Sequence, residues 1–304
     1  MSAKDALLEL RRRLKAADYR FVTVTPATHA RVLARPCERP DLRDIFGWSR
    51  SFIEADLEPQ LLECLERSGT LERGGEQRRS LVRVASLRED LLLHSAYPTV
   101  QNDAVFFGPD TYRFVRFLRQ RIPDLPSAPA WIVDMGTGSG AGAIAAARLL
   151  PRARITGVDL NPAALKLAAI NVEAAGVAVE VHAAELPSGA DLVIANPPYI
   201  MDGQRRAYRD GGALLGGEVA LSWARQALDG MAAAGTMLLY TGASVVDGRV
   251  PLVDALERLC ADAKAAIDVD ELDPDVFGEE LDQPGYAEIE RIAIIAATIR
   301  KRDA

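Results

Sequence analysis

The sequence has few residues of the kinds that build disulfide or metal-based scaffolds. It contains 3 cysteines and 3 histidines among 304 residues. The cysteines, Cys37, Cys64 and Cys260, lie far apart and show no C-x-x-C spacing. Because disulfide frameworks and zinc sites need paired or clustered ligands, the sequence predicts buried free thiols and no bound metal.

Long apolar runs are also absent. The longest, Ala143–Ala147 and Ile292–Ile299, fall well short of the ~20 residues with which a helix spans a bilayer. The opening residues Met1–Asp5 lack the apolar region of a secretory signal peptide. We therefore expect a cytoplasmic protein without a membrane partner.

The composition is ordinary, with 49% hydrophobic and 26% charged residues, and the length allows one large domain and a smaller one. The net charge is −7, yet residues 1–100 hold 17 Lys and Arg against 15 Asp and Glu. A mildly basic first third and an acidic remainder permit a nucleic-acid substrate without requiring one.

Residues 1–100 show several helical patterns followed by two β-like runs. Leu7, Leu10 and Leu14 recur at helical spacing beside Arg11–Arg13, a cluster that fits either a solvated helix face or a phosphate contact. Helices followed by a hairpin resemble a winged-helix arrangement, so we predict a substrate-recognition domain over residues 1–100. The predicted helices cover residues 3–17, 26–34, 42–46 and 59–68, and the hairpin strands cover residues 80–85 and 90–94.

A joint over residues 95–128 leads to the second predicted domain, residues 101–304. Phe106 and Phe107 precede Gly108 and Pro109 there, and Asp110 is the predicted N-cap of a helix. The segment fits either the cover of a bound ligand or packing between domains.

From residue 130 onward, strand and helix patterns alternate. This alternation predicts an α/β fold, a doubly wound, mostly parallel sheet of seven strands with ligands at the carboxyl ends of the strands. A loop rather than a helix precedes the last strand, which favours its antiparallel insertion. The predicted strands cover residues 131–134, 154–159, 179–182, 191–195, 235–241, 266–270 and 291–299, with helices at about 141–149, 162–174, 218–233 and 251–263.

The first strand of this sheet ends in a glycine-rich turn. Asp134 is followed by Gly136, Gly138 and Gly140, which let the backbone approach a ligand closely. The spacing is G-x-G-x-G, and an acidic residue two places before the first glycine is an awkward neighbour for phosphates. A cofactor with a cationic centre and a free amino group fits better than a dinucleotide.

The second strand ends at Asp159. A carboxylate at this position can accept hydrogen bonds from both ribose hydroxyls of an adenosine group. The alternative is that Asp159 only caps the helix that begins at Asn161 and Pro162.

The fourth strand ends in Asn196-Pro197-Pro198-Tyr199. Prolines remove backbone donors, so the Pro197 carbonyl and the Asn196 side chain are left to accept hydrogen bonds from a planar amino group. The Tyr199 ring offers a face on which a flat group can stack. The step therefore predicts a slot for a planar nitrogen.

In this order, the three motifs resemble those of class I S-adenosylmethionine-dependent methyltransferases, in the subgroup with an NPPY step. The nearest likenesses are the protein-glutamine and the small-domain RNA and DNA amino-methyltransferases. Residues 107–111 match in part a Pro-Arg-Pro-x-Thr-Glu segment of the former. The resemblance implies S-adenosyl-L-methionine as cofactor and no metal. The cofactor-binding candidates are Asp134, Gly136, Thr137, Gly138, Gly140, Asp159, Leu160, Glu185 and Asn196; the catalytic ones are Asn196, Pro197 and Tyr199; the substrate-binding ones are Phe107, Thr111, Pro198 and Tyr199.

The predicted activity is methyl transfer to a planar amino or amide nitrogen of a macromolecule, which the sequence leaves open as RNA, DNA or protein. Two alternatives remain at this point. The glycine-rich turn would also serve a nicotinamide-dependent oxidoreductase, and the fold would also serve as the scaffold of a non-catalytic nucleic-acid-binding module.

Overall fold

The structure is a computed structural model, and it describes residues 1–302. Helices α1 to α9 cover Ala3–Ala16, Pro26–Leu33, Leu42–Phe46, Pro59–Ser68, Pro109–Arg121, Ala141–Leu149, Pro162–Ala175, Glu218–Gly230 and Pro251–Asp262. Strands β1 to β11 cover Leu71–Gly74, Gln77–Ser80, Val82–Leu87, Asp90–Ser95, Trp131–Met135, Arg154–Asp159, Glu180–Ala183, Leu192–Ala195, Thr236–Val245, Ala266–Asp273 and Arg291–Arg300. Within residues 1–302, none of the helices combines the length and the apolar character needed to cross a membrane.

Seven strands form the central sheet, in the order β10-β11-β9-β8-β5-β6-β7. The strands from β9 to β7 run parallel, whereas β11 runs antiparallel to both of its neighbours. This arrangement confirms the predicted seven-stranded, mostly parallel sheet. The antiparallel insertion of the last strand is confirmed as well.

Helices cover both faces of this sheet because its central strands are apolar on both sides. Successive residues point to opposite faces, so Ile132 of β5 joins the core under α5 and α6, and Val133 joins the core under α8 and α9. Both residues are fully buried.

The first hundred residues fold around a core that they share with α7. Leu7, Leu10 and Leu14 of α1 pack against Leu61 and Leu65 of α4. Strands β3 and β4 form the predicted hairpin. A second hairpin, β1 and β2, was not predicted, because its sequence is mostly charged and shows no apolar alternation. The division into domains at residue 100 stays a prediction.

Arg11 does not lie on a solvated face, as one interpretation of its cluster had it. Its side chain is buried and donates hydrogen bonds to the carbonyl oxygens of Leu91 at 2.7 Å and Ala174 at 2.6 Å. Asp90 lies 3.4 Å from the same guanidinium and also accepts hydrogen bonds from Arg148. The arginine therefore joins α1 to β4 and α7.

Asn171 of α7 connects the β3–β4 hairpin to the glycine-rich turn. Its side-chain amide accepts a hydrogen bond from the Leu93 N–H and donates to the carbonyl oxygens of Leu93 and Ser139, each at 2.9 Å. Asn171 is fully buried, so these bonds are shielded from bulk water. One side chain thus satisfies backbone groups of two separate segments.

Replacing Asn171 by alanine should destabilise the protein, because it leaves buried backbone groups of Leu93 and Ser139 without partners. We expect the free energy of unfolding to fall by at least about 2 kcal/mol. Urea unfolding of the variant measures this loss, with Asn102→Ala, at an exposed asparagine, as the matched control. Equal losses in the two variants would contradict the role given to Asn171.

Candidate active site

A cavity of about 540 Å³ opens at the carboxyl ends of β5, β6 and β8. The three sequence motifs meet at this edge because the strands that carry them are parallel neighbours. The predicted site residues on its wall are Thr111, Asp134, Gly136, Thr137, Gly138, Asp159, Leu160, Glu185, Asn196, Pro197, Pro198 and Tyr199.

The glycine-rich turn leaves room for a ligand at its backbone. Gly136 and Gly138 have φ values of +68° and +54°, which favour glycine. A Cβ added at Gly138 would meet only the Gly136 carbonyl oxygen, at 3.9 Å. The space beside Gly138 is therefore open to a group that approaches the main chain.

Asp134 is a buried carboxylate on this wall. It is 2% exposed and accepts hydrogen bonds from the Thr137 hydroxyl at 2.7 Å and the Ala143 N–H at 2.8 Å. Burial raises the pKa of Asp134 to about 7. A cationic group entering the cavity would stabilise the ionised form, so the chemistry here suits an ammonium group.

Asp159 accepts two backbone hydrogen bonds, from Gly138 N–H at 2.9 Å and Asn161 N–H at 2.8 Å. Asn161 itself caps α7 by accepting a hydrogen bond from the Ala163 N–H. Asp159 is therefore not the cap. Each carboxylate oxygen keeps a further lone pair, and the group lies on the cavity wall, so it can also accept hydrogen bonds from hydroxyls of a ligand.

The NPPY step forms the opposite part of the wall. Asn196 is half-buried, and its side chain makes no hydrogen bond to any group in residues 1–302, which leaves it free for a ligand. Tyr199 is 8% exposed, and its hydroxyl donates a hydrogen bond to Asp110. A Cβ added at Gly242 would lie 2.1 Å from the Tyr199 ring, so the ring packs directly on the backbone of β9.

Two predicted site residues do not line the cavity. Gly140 is the N-cap of α6, and a Cβ there would meet the Ala168 backbone at 3.4 Å, so it serves the close approach of α6 to α7. Phe107 is 2% exposed and stacks on His94 at 5.1 Å between ring centres. Its neighbour Phe106, 37% exposed, lies on the wall instead.

The expectation that Asp110 caps α5 was wrong. Gly108 is the N-cap and Pro109 the first helical residue, so Asp110 lies inside the first turn. Its side chain points to the cavity wall. An acidic residue at a helix start usually indicates a cap, and the sequence held no signal for another role.

Other wall residues were not among the predicted site residues. Phe106 and Asp110 belong to the segment that was expected either to cover a ligand or to pack between domains, whereas Tyr208, Trp223 and Phe277 come from distant segments without a shared motif. Phe277 has a φ of +53°, a strained conformation for an aromatic residue.

The family model described as methyltransferase small domain matches residues 113–211, which include the glycine-rich turn, Asp159 and the NPPY step. The match confirms the predicted resemblance to methyltransferases and agrees with S-adenosylmethionine as the cofactor. It favours a methyltransferase over the nicotinamide-dependent alternative.

Curated relatives are similar to part of this chain. The chain is similar to the release factor glutamine methyltransferase of Gloeobacter violaceus, with 42% identity over 110 residues, 34% of this chain and 36% of the relative. For the enzyme of the same name from Mycolicibacterium smegmatis the identity is 48% over 83 residues, 24% and 29%. For that of Deinococcus radiodurans it is 31% over 157 residues, 49% and 55%. The chain thus covers less than two thirds of each relative.

Solved structures support the fold of the methyltransferase domain and its surroundings. Trm5b from Pyrococcus abyssi has a TM-score of 0.50 and 16% identity, over 76% of this chain and 62% of that one. A putative transferase from Pyrococcus horikoshii has a TM-score of 0.51 and 13% identity, over 81% and 83%. At this level of identity, the likeness concerns the fold alone.

Asp134 should make stability depend on pH. Because the pKa is about 7 in the folded protein and 3.8 ordinarily, the folded state holds the proton more tightly. The free energy of unfolding therefore falls between these two pH values and levels off above them. Relative to Asp134→Asn, the slope should reach about 1.4 kcal/mol per pH unit.

Urea unfolding of both proteins from about pH 5 to about pH 8 measures this slope. Parallel curves for wild type and Asp134→Asn would show that the carboxyl group ionises normally.

Proposed function

We propose that the protein is an S-adenosylmethionine-dependent N-methyltransferase that modifies a planar nitrogen of a macromolecule. The observation that carries this proposal is that the acidic, glycine-rich turn and the NPPY step line one cavity. Both lie in the region that matches the methyltransferase small domain. Cytoplasmic localisation stays a prediction.

On the cofactor side of the cavity, the side chains suit both the methionine end and the adenosine end of S-adenosylmethionine. Asp134 would hold the ammonium of the methionine part, and the open main chain at Gly138 would let it approach. Asp159 would hold the ribose hydroxyls, and the exposed Glu185 would face the adenine. When bound, S-adenosylmethionine supplies a methyl group activated by a sulfonium centre.

On the acceptor side, the NPPY step holds the nucleophile. An amide or exocyclic amine nitrogen delocalises its lone pair and is a poor nucleophile. The side-chain Oδ1 of Asn196 and the backbone carbonyl oxygen of Pro197 accept hydrogen bonds from its two hydrogens, which orients the lone pair toward the methyl group. Positioning of this kind supplies ~7–11 kcal/mol of a barrier, so no strong base is required and the proton leaves to water after transfer.

The charge near the cavity favours a protein acceptor over a nucleic acid. Residues 265–290 contain ten Asp and Glu and no Lys or Arg, and Phe277 of this segment lies on the cavity wall. Arginines elsewhere pair with five of these carboxylates. The others add negative charge that repels phosphates. The relatives named as glutamine methyltransferases point to the same class, a glutamine side-chain amide.

The first hundred residues are proposed to recognise this substrate. Pro26 of α2 lines the cavity together with Ala104, Val105 and Phe106 of the joint. The segment that precedes the methyltransferase domain thus contributes directly to the wall where an acceptor would enter.

Replacing Asn196 by alanine should lower the rate of methyl transfer by at least about 100-fold, because the acceptor nitrogen loses one of its two anchors. Binding of S-adenosylhomocysteine, measured by calorimetry, should persist. The matched control is Gln204→Ala, an exposed amide on the loop after the NPPY step. Undiminished transfer by Asn196→Ala would exclude this mechanism.

The acceptor class can be identified by labelling a cell extract with methyl-labelled S-adenosylmethionine and the wild-type protein. Parallel nuclease and protease digestions then show which treatment releases the label. We expect protease to release it and nuclease to leave it, whereas the reverse would establish a nucleic-acid acceptor. Stabilisation by NAD(H) but not by S-adenosylhomocysteine would refute the proposed cofactor.

A further inference from the structure

Asp110 is a buried carboxylate that the roles proposed above do not use. It is 3% exposed and accepts hydrogen bonds from the hydroxyls of Tyr199 and, at 3.3 Å, Tyr240. Arg113 is the nearest cation, with 3.6 Å between its guanidinium and the carboxylate. A buried carboxylate is costly, and the ion pair with Arg113 is longer than a direct hydrogen bond.

The two tyrosines approach Asp110 as fixed donors. Burial raises the pKa of both phenols above the ordinary value of 10.0, so they keep their protons. Each phenol donates its single proton, and the carboxylate accepts both. Burial also raises the pKa of Asp110, while the two phenols oppose that rise.

Glycines enclose the rest of Tyr199. Its ring packs on Gly242, where a Cβ would lie 2.1 Å away, and Gly211 and Gly216 pack on its backbone, where added Cβ atoms would lie 2.6 Å and 2.2 Å from Tyr199 atoms. Tyr240 and Gly242 are two residues apart on β9, so they face the same side of the sheet. Strand β9 therefore supplies both the backbone surface on which the Tyr199 ring packs and the second phenol, that of Tyr240.

The hydroxyl is the one polar end of Tyr199, and Asp110 is its partner. Without this bond, the phenol would have to find water inside the cavity, and its ring could swing off the wall. The Asp110 carboxylate also faces Arg113, whose guanidinium is fixed by an ion pair with Asp273 at 2.9 Å. Asp273 lies four residues before Phe277 of the cavity wall.

We propose that Asp110 is a positioning residue of the acceptor site, which holds the Tyr199 phenol so that the ring stays on the cavity wall near Asn196. This inference rests on the proposed methyl transfer. It adds to the NPPY step a residue from the helix that precedes the glycine-rich turn.

The first test compares Asp110→Ala with the conservative Asp110→Asn, whose amide oxygen can still accept hydrogen bonds from the phenols. The rate of labelled methyl transfer into cell extract should fall by at least about 30-fold in the alanine variant, and the asparagine variant should recover to within about 5-fold of wild type. The dissociation constant of S-adenosylhomocysteine should change less than about twofold in both, since within residues 1–302 Asp110 makes its hydrogen bonds and ion pair with Tyr199, Tyr240 and Arg113 and not with the cofactor-side residues.

The second test is a double-mutant cycle with Tyr199→Phe. If Asp110 acts through the Tyr199 hydroxyl, Asp110→Ala and Tyr199→Phe remove the same interaction, and the double variant should be slowed no more than the slower single variant. Multiplied losses in the double variant would overturn the inference. So would equal losses in Asp110→Ala and Asp110→Asn, or a wild-type rate in Asp110→Ala.

The same double-mutant cycle can be measured by urea unfolding, which does not depend on enzymatic activity. The shift of the unfolding midpoint in the double variant should be smaller than the sum of the two single shifts, and additive shifts would also overturn the inference. Tyr19→Phe is the matched control, because Tyr19 is a buried tyrosine whose hydroxyl donates at 2.8 Å to the Val84 carbonyl, away from the cavity. If the unfolding shifts are non-additive but the wild-type protein transfers no methyl group, the proposed function is refuted and the contact between Asp110 and Tyr199 stands.

Discussion

Two carboxylates hold the glycine-rich turn, and the geometry of the cavity depends on them. Backbone hydrogen bonds from Gly136 and Thr137 to the Val158 carbonyl oxygen hold its first residues, but its glycines contribute no side chains that could fix the rest. Asp134 anchors it through Thr137 and through the start of α6, and Asp159 anchors the N–H of Gly138. The turn is therefore ordered by the protein itself, and a ligand would meet a surface that is already formed. Asn171 supports the same turn from behind, through Ser139.

The sequence was informative where function and fold share a local signal. A buried strand followed by a glycine turn and a helix is encoded within about a dozen neighbouring residues, and parallel strands then place their carboxyl ends at one edge. For that reason Asp134, Gly138, Asp159 and Asn196 could be assigned to one cavity before their contacts were known. The mostly parallel sheet followed from the alternation of elements, and the antiparallel last strand followed from the loop that precedes it.

The remaining features depend on contacts between distant segments. Phe106 and Phe107 are adjacent and similar, and only the stacking of Phe107 on His94 decides which ring faces the cavity. Gly140 has the same flexible backbone as the other glycines of the turn, yet its space is taken by α7. The partners of Asp110 lie 89 and 130 residues away, so nothing near it in the chain could reveal them.

The position of β11 has a consequence for how the protein is made. This strand, Arg291–Arg300, lies between β9 and β10, so both depend on residues that are synthesised after them. Until then, the edge of β9 that will pair with β11 is open, and it can recruit unpaired strands of other chains. Gly242, on which the Tyr199 ring packs, also lies on β9. A chain cut off before residue 291 would therefore carry every motif of the site without the strand that holds its acceptor half in place.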